Sequence, residues 1–399
     1  MKRHRIYLAS TFSFITLIST AQNRSIKFEH VTFKEIKAKA LKENKLIFID
    51  AYTSWCGPCK QMAKNVFTND TVADYYNKNF VNAKIDMEKG EGIEIAKQYD
   101  VRCYPNLLFV DGHGKIVHRV AGGMSPKEFV ALGEETKSPE KCFSYFANNY
   151  EANKTNSDFL RKYIYAKDGT CLETADLVKS YFTMQKEDEL TNEDNWKMIK
   201  FFVNTMDSRE FDYLMANKTK FENLYQAQEV NVVIDNIFRN SLYAASSGKT
   251  FDEKKYIDLK EKISSYGFPN TKLLLFESDM NLAANKADWS TYAKLAVSHV
   301  DEFYSEDVNA LNNVAWTFYE NVKEKEALEK AAAWSSKACD IESSYANLDT
   351  YAAILYKLGK KDLALEKANK AIDAAKNEKQ TPEQYQGTTD LIKKINELK

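Results

Sequence analysis

Two cysteines stand three positions apart in Trp55-Cys-Gly-Pro-Cys-Lys60, just beyond the apolar run Leu46-Ile-Phe-Ile49. Residues i and i+3 share a helix face, so thiols at this spacing can meet without rearranging the backbone. The chemistry on offer is thiol–disulfide exchange. The competing use of such a pair is half of a zinc site. Zinc takes four ligands, and the chain has no second C-x-x-C, so no metal is expected. Cys103, Cys142, Cys171 and Cys339 sit singly. They read as small packing residues, Cys103 in a loop and the others in helices, with a Cys142–Cys171 bridge as the alternative. His30, His113 and His118 read as surface or turn residues.

The N-terminus makes the dithiol more pointed. Lys2, Arg3 and Arg5 precede a largely apolar run from Ile6 to Ile18, and Ser19-Thr20-Ala21 offers small residues before a cleavage point. This is a secretory signal layout over residues 1–21 with cleavage after Ala21, and it predicts a periplasmic or secreted protein. An uncleaved membrane anchor is the alternative use of the same run. Nothing after residue 22 approaches 18 consecutive apolar residues, so no internal membrane span is expected. The 56 basic residues balance 57 acidic ones, which leaves no electrostatic footprint for nucleic acid.

The elements that must carry the dithiol are legible around it. Eight of the 13 glycines fall between Gly57 and Gly133. Leu46–Ile49 and Leu107–Val110 are short apolar runs of the kind that form buried strands. Thr32-Phe-Lys-Glu35 and Ser125-Pro-Lys-Glu128 are capping boxes that start helices. Asp111-Gly-His-Gly114 separates Leu107–Val110 from Lys115–Ala121 and predicts a hairpin. The expected order is helix, strand, helix, strand, helix, hairpin, helix, an α/β domain.

From about Lys137-Ser-Pro-Glu140 onward the pattern is helical to the end. Leu311–Tyr319 resembles Leu348–Tyr356, with Ala315 matching Ala352 37 positions on, and Ala338 matches Ala371 at a spacing of 33. With Leu358-Gly359 and Ala364 between them, these helix pairs resemble tetratricopeptide repeats. Two repeats do not stand alone, so earlier helices are expected to complete the stack. The expected layout is the α/β domain over residues 25–137, a helical domain over 140–304, and repeats over 305–399. The many aromatics of the helical part, such as Phe143, Tyr145, Phe146, Tyr163 and Tyr165, read as packing core rather than a binding groove.

In the first domain the dithiol segment Trp-Cys-Gly-Pro-Cys-Lys is joined by Tyr104-Pro105 before the strand Leu107–Val110 and by Gly122-Gly123. On these residues, about 25–136 resemble the thioredoxin superfamily, in particular the thioredoxin-like domains of bacterial envelope thiol–disulfide interchange proteins. The resemblance implies an α/β thioredoxin fold, a central mixed sheet flanked by helices. It implies no cofactor beyond a redox-active Cys56–Cys59 disulfide. Cys56, exposed at a helix N-terminus, would be the nucleophile, its thiolate stabilised by free N–H groups, and Cys59 the buried resolving thiol. Asp50 matches the family's buried carboxyl that moves the Cys59 proton; desolvation would raise its pKa to suit that task. A strand-end Asp capping the next turn is the alternative. Lys84 is left out, because its face is undetermined. Trp55, Gly57, Pro58, Tyr104 and Pro105 would contact substrate, with Pro105 in a cis-proline loop that pairs with it as an added strand. Tyr104-Pro-Asn106 departs from the family's usual Ile-Pro-Thr, which bears on substrate preference. Cys103, two residues before Pro105, could form a regulatory or intermolecular disulfide as in some animal thioredoxins.

The expected protein is an exported disulfide reductase acting on disulfide-containing proteins. It would be recharged by a membrane electron donor, with the helical part recognising partners. Oxidase or isomerase activity, and a non-catalytic client-binding scaffold, are the alternatives.

Overall fold

The computed structural model describes residues 24–247 and 251–398. The expected signal segment lies outside them. The chain divides into two compact units, the first ending at Leu190 and the second beginning at Thr191.

In the first unit the order is β1 (Phe28–Glu29), α1 (Phe33–Glu43), β2 (Leu46–Tyr52), α2 (Gly57–Asn65), α3 (Asp70–Asn79), β3 (Phe80–Asp86), α4 (Gly92–Gln98), β4 (Asn106–Val110), β5 (Ile116–Ala121) and α5 (Pro126–Glu135). The five strands form one mixed sheet in the order β1-β3-β2-β4-β5. β3 runs parallel to β1 and β2, while β4 runs antiparallel to β2 and β5. Both capping boxes form: Thr32 and Glu35 bond reciprocally, as do Ser125 and Glu128. The hairpin turns on Asp111, whose N–H donates to the Lys115 carbonyl at 2.9 Å. Sequence pattern passed over β1, because two residues cannot display a period.

Side chains alternate across the sheet into two cores. Ile47, Ile49, Ala51, Val81, Ala83, Leu108 and Val110 face α1 and α4. Phe48, Phe80, Leu107 and Phe109 face Met62 of α2, Tyr76 of α3 and Phe129 of α5. Covered on both sides, the strands carry apolar residues almost continuously, and burial alone cannot tell one face from the other.

Three more helices follow in this unit: α6 (Phe143–Asn153), α7 (Ser157–Asp168) and α8 (Ala175–Thr183). Helix α6 starts on β5, where the Phe143 N–H donates to His118 Nδ1 at 3.1 Å. His118 is therefore not a surface or turn residue: it is buried, because α6 covers its strand. Phe146, Phe159 and Tyr163 pack against one another between α6 and α7 with ring centroids 5.6–6.4 Å apart, a core as expected.

In the second unit the helices run from α9 (Glu193–Phe202) to α20 (Gln386–Glu397). The repeat detected in sequence is the pair α16 (Val308–Asn321) and α17 (Lys325–Ile341) followed by α18 (Tyr345–Lys357) and α19 (Lys361–Asn377). Ala315, Ala338, Ala352 and Ala371 are all fully buried, which is why the repeat keeps them small. The core of these pairs continues backward through Val300, Ala296, Tyr292, Met280 and Phe276, so preceding helices do complete the stack. Among the described residues no helix is long and apolar enough to cross a membrane.

Candidate active site

Cys56 is the N-cap of α2, and Pro58 lies in its first turn where a missing N–H costs nothing. The structure holds the pair as a Cys56–Cys59 disulfide. Cys56 Sγ accepts the Cys59 N–H at 3.1 Å, so the helix end already presents a donor to that sulfur. One expectation is corrected. Cys56 is 3 % exposed and Cys59 2 %, so exposure does not separate them. Each sulfur covers the other, and the Cys56 side chain folds back over the helix start. What distinguishes the two is position: Cys56 precedes the first turn, and Cys59 lies within it.

Asp50 sits inside β2, not at its end, and is completely buried. Burial pushes its carboxyl pKa up, against the opposing pull of Lys84. Parity places it with Phe48 on the sheet face that carries α2. In the parallel ladder Asp50 is paired with Lys84, and Lys84 Nζ donates to Asp50 Oδ2 at 2.6 Å. The other oxygen, Oδ1, has no hydrogen-bond partner among the described residues. Lys84 thus joins the site, contrary to its omission from the sequence reading. It reaches the carboxylate across the ring of Tyr52, 4.4 Å from its centroid.

The Tyr104–Pro105 peptide bond is cis. The Pro105 carbonyl accepts the Gly122 N–H at 2.9 Å, and Gly122 holds φ +99°, a conformation that suits glycine. A Cβ on neighbouring Gly123 would stand 3.8 Å from Pro58 Cβ and 4.0 Å from Met62 Cγ. The end of β5 therefore touches both the dithiol helix and the proline loop. Tyr104 meets Trp55 edge-on with centroids 5.9 Å apart. Trp55 is 65 % exposed, yet its indole N–H is anchored on both oxygens of Glu88 at 3.0 Å. Gly57 opens α2 with free space around its Cα.

Behind the loop lies Arg119, buried in β5. It donates to the carbonyls of Tyr99 at 2.7 Å and Asp100 at 3.2 Å. The cysteine pairing also differs from expectation. Cys103 bonds to Cys171, 68 positions away, and Cys142 is free and buried. Cys103 is thus no mere packing residue, Cys171 is no core residue, and Cys142–Cys171 does not form. No spacing in the sequence announces this bridge, because the turn after α7 reaches Cys103 only through the docking of α6 on β5.

A thioredoxin-like domain profile matches residues 33–137. A thioredoxin of Chlorobaculum thiosulfatiphilum is 31 % identical over 105 residues, covering 91 % of that protein and 26 % of this chain. The chain belongs to the thioredoxin family. Thioredoxin 2 of Chlorobaculum tepidum is 30 % identical over 105 residues, 90 % of its length and 26 % of this chain. A solution structure of a protein proposed as a disulphide-isomerase, from Bacteroides thetaiotaomicron, is 44 % identical, covering 98 % of that chain and 30 % of this one with a TM-score of 0.28. The thioredoxin domain with its Cys56–Cys59 disulfide makes this chain a thiol–disulfide oxidoreductase. Its all-helical C-terminal region fits tetratricopeptide-like repeats.

Proposed function

We propose that this thioredoxin-family protein is exported and works as a reductase of protein disulfides. Reduced Cys56 attacks a substrate disulfide as the thiolate, forming a mixed disulfide and releasing the substrate's other sulfur as a thiolate. Cys59 then loses its proton to Asp50 and attacks Cys56 Sγ, which restores the Cys56–Cys59 disulfide and frees the second substrate thiol. The observation that carries this reading is the Cys59 N–H aimed at Cys56 Sγ, with the buried Asp50 and its partly exposed partner Lys84 on the sheet face below the same helix. The first stabilises negative charge on Cys56, and the second supplies a carboxyl whose raised pKa suits a proton exchanged with a thiol. Trp55, Gly57, Pro58 and the Tyr104–Pro105 loop form the surface that receives the substrate strand.

Direction follows from Gly57-Pro58, which matches the reducing members of the family. Export follows from the signal layout of residues 1–21, and the two together require a membrane electron donor. The second unit serves partner recognition. The test is a redox titration against glutathione, which should place the pair near −270 mV, as in thioredoxin, and far from about −120 mV. A value above about −160 mV would make the protein an oxidase. A Cys59→Ser variant expressed in the native host should accumulate mixed disulfides with its substrates. Mature protein from that host should begin at or near Gln22; an intact Met1 on cytoplasmic protein would remove the export argument.

A further inference from the structure

The Cys103–Cys171 bridge joins two loops that are gripped by consecutive amides. At the end of β5 the Ala121 N–H donates to the Gly169 carbonyl at 2.8 Å, and the next amide, Gly122, donates to Pro105 at 2.9 Å. Gly169 lies two residues before Cys171, and Pro105 two residues after Cys103. The disulfide therefore closes a small ring: β5 end, turn 169–171, S–S bond, loop 103–105, and back to β5.

Within that ring the proline loop has few backbone hydrogen bonds to hold it. Arg119 fixes the carbonyls of Tyr99 and Asp100, and the Val101 N–H bonds to Ala96. From there to Pro105, the amides of Arg102, Cys103 and Tyr104 donate to no backbone carbonyl among the described residues. The Arg102–Glu173 ion pair, 3.3 Å, is exposed on both sides and adds little. Beside the Arg102–Asp100 hydrogen bond of 2.9 Å and the packing of Tyr104 on the core, the S–S bond is the covalent tie on residues 102–104. Its effect reaches the dithiol by a short route. Cys103 is bonded to Tyr104, Tyr104 packs on Trp55, and Trp55 precedes Cys56.

We propose that Cys103 and Cys171 are positioning residues for the exchange reaction. Their disulfide fixes the Tyr104–Pro105 loop so that its free backbone groups are already set for an incoming substrate strand, and the turn after α7 is a working part of the active site. The proposal rests on the reading of this loop as the substrate-pairing edge. Without the restraint the loop must be ordered on binding, so its loss should appear in substrate affinity, by about tenfold, and leave the dithiol chemistry alone.

The experiment compares the full-length protein with C103A/C171A in single-turnover reduction of two substrates. Before mixing, mass spectrometry of alkylated peptides verifies that Cys56 and Cys59 are reduced and that the wild type retains Cys103–Cys171. With insulin, whose disulfides lie in chain segments, the half-saturating concentration should rise about tenfold with the maximal rate within about twofold. With a small aromatic disulfide, which has no strand to align, the rate should stay within about twofold, as should the equilibrium with glutathione. Equal half-saturation with insulin, accompanied by a lower melting temperature, would overturn the proposal and leave the bridge a purely structural staple. Wild-type protein that reduces neither substrate would instead overturn the reductase reading, and the proposal with it. Should C103A/C171A not fold, C171A alone breaks the bond at an exposed residue, and the same two outcomes decide.

Discussion

The two units bury different kinds of residue. In the second, the buried contacts are made by Ala315, Ala331, Ala352, Ala364, Ala368 and Ala371, with large apolar side chains such as Trp334 and Phe318 between them. Its charges lie outside, many in i,i+4 or i,i+3 pairs such as Lys370–Glu366 and Lys393–Asp390. In the first, Asp50, His118 and Arg119 are all inside, and among the described residues the second unit has no fully buried charged side chain to match them. Burying an ionisable group costs several kcal/mol unless it is partnered. A helical stack that only needs to pack avoids the cost. The sheet bears it where Asp50 is proposed to move a proton, where Arg119 holds a loop, and where His118 docks a helix. Buried ionisable groups can mark where a fold has work beyond stability, and among the described residues the fully buried charged side chains end at Arg119, although burial also raises the pKa of the partly buried Asp349 of the second unit.

That contrast can be broken experimentally, most severely at the dithiol. Cys56→Ala should drop reduction of a generic protein disulfide to the uncatalysed background, while Cys59→Ala should retain slow attack and accumulate mixed disulfides. Alkylation at mildly acidic pH that labelled Cys59 ahead of Cys56 would reverse the assigned roles.

His118 should give the next largest effect. Burial pushes its pKa down to about 4. Its Nε2 lies 3.5 Å from Glu135, which would favour the charged form, but that contact makes no hydrogen bond and desolvation prevails. The folded state therefore refuses a proton that the unfolded chain accepts near pH 6.5. Stability should be intact above that pH and fall as pH drops toward about 4, by about 3 kcal/mol in all. His118→Gln, which can still accept the Phe143 N–H, should flatten the slope in urea unfolding at pH 7 and pH 4.5. An unchanged slope would place the acid sensitivity elsewhere.

Asp50 carries the opposite sign. Its raised pKa means the folded state keeps a proton that the unfolded chain releases near pH 4, so the oxidised protein should lose stability as pH rises above that value. Asp50→Asn should remove this loss and slow resolution of the mixed disulfide by about 10²-fold, the low end for a general base. A variant that resolves at the wild-type rate would reduce Asp50 to a structural ion-pair partner of Lys84.

Much of this site could be read in the residues, and the part that could not has a common cause. Cys56, Cys59 and the proline loop lie in local motifs, as do both capping boxes and the hairpin at Asp111. Asp50 stood out as the charge in an apolar run. Lys84, Arg119 and Cys171 did not, because each acts across the sheet or across 68 residues of chain. Period-2 alternation would have assigned the Lys84 face if one side of the sheet were wet, but β2 and β3 are covered on both. The alanine repeat of the second unit was legible for the converse reason, since its contacts are between neighbours in sequence. A larger residue there should confirm that the alanines are packing: Ala352→Leu should destabilise the chain by about 1–3 kcal/mol and leave the Cys56–Cys59 potential unchanged.

The smallest expected effect sharpens the comparison most. If chemistry ends with the first unit, a fragment ending at Leu190 should fold and reduce a generic disulfide within about twofold of the full-length rate, since Trp55, Asp50, Lys84, the Tyr104–Pro105 loop and the Cys103–Cys171 bridge all lie in it. A shorter fragment ending at Ser138 keeps the profile-matched domain but loses α6–α8. It uncovers His118, deletes the Gly169 carbonyl and leaves Cys103 without Cys171. Closing a loop of this length contributes roughly 4 kcal/mol on the chain-entropy account, so the shorter fragment should melt well below the longer one. Both fragments should lose the preference for native clients that the second unit is proposed to supply, measured on partners trapped by the Cys59→Ser variant. Equal capture of those clients by the Leu190 fragment would take recognition away from the repeats. Equal melting of the two fragments would show that α6–α8 ride on the thioredoxin domain without bracing it.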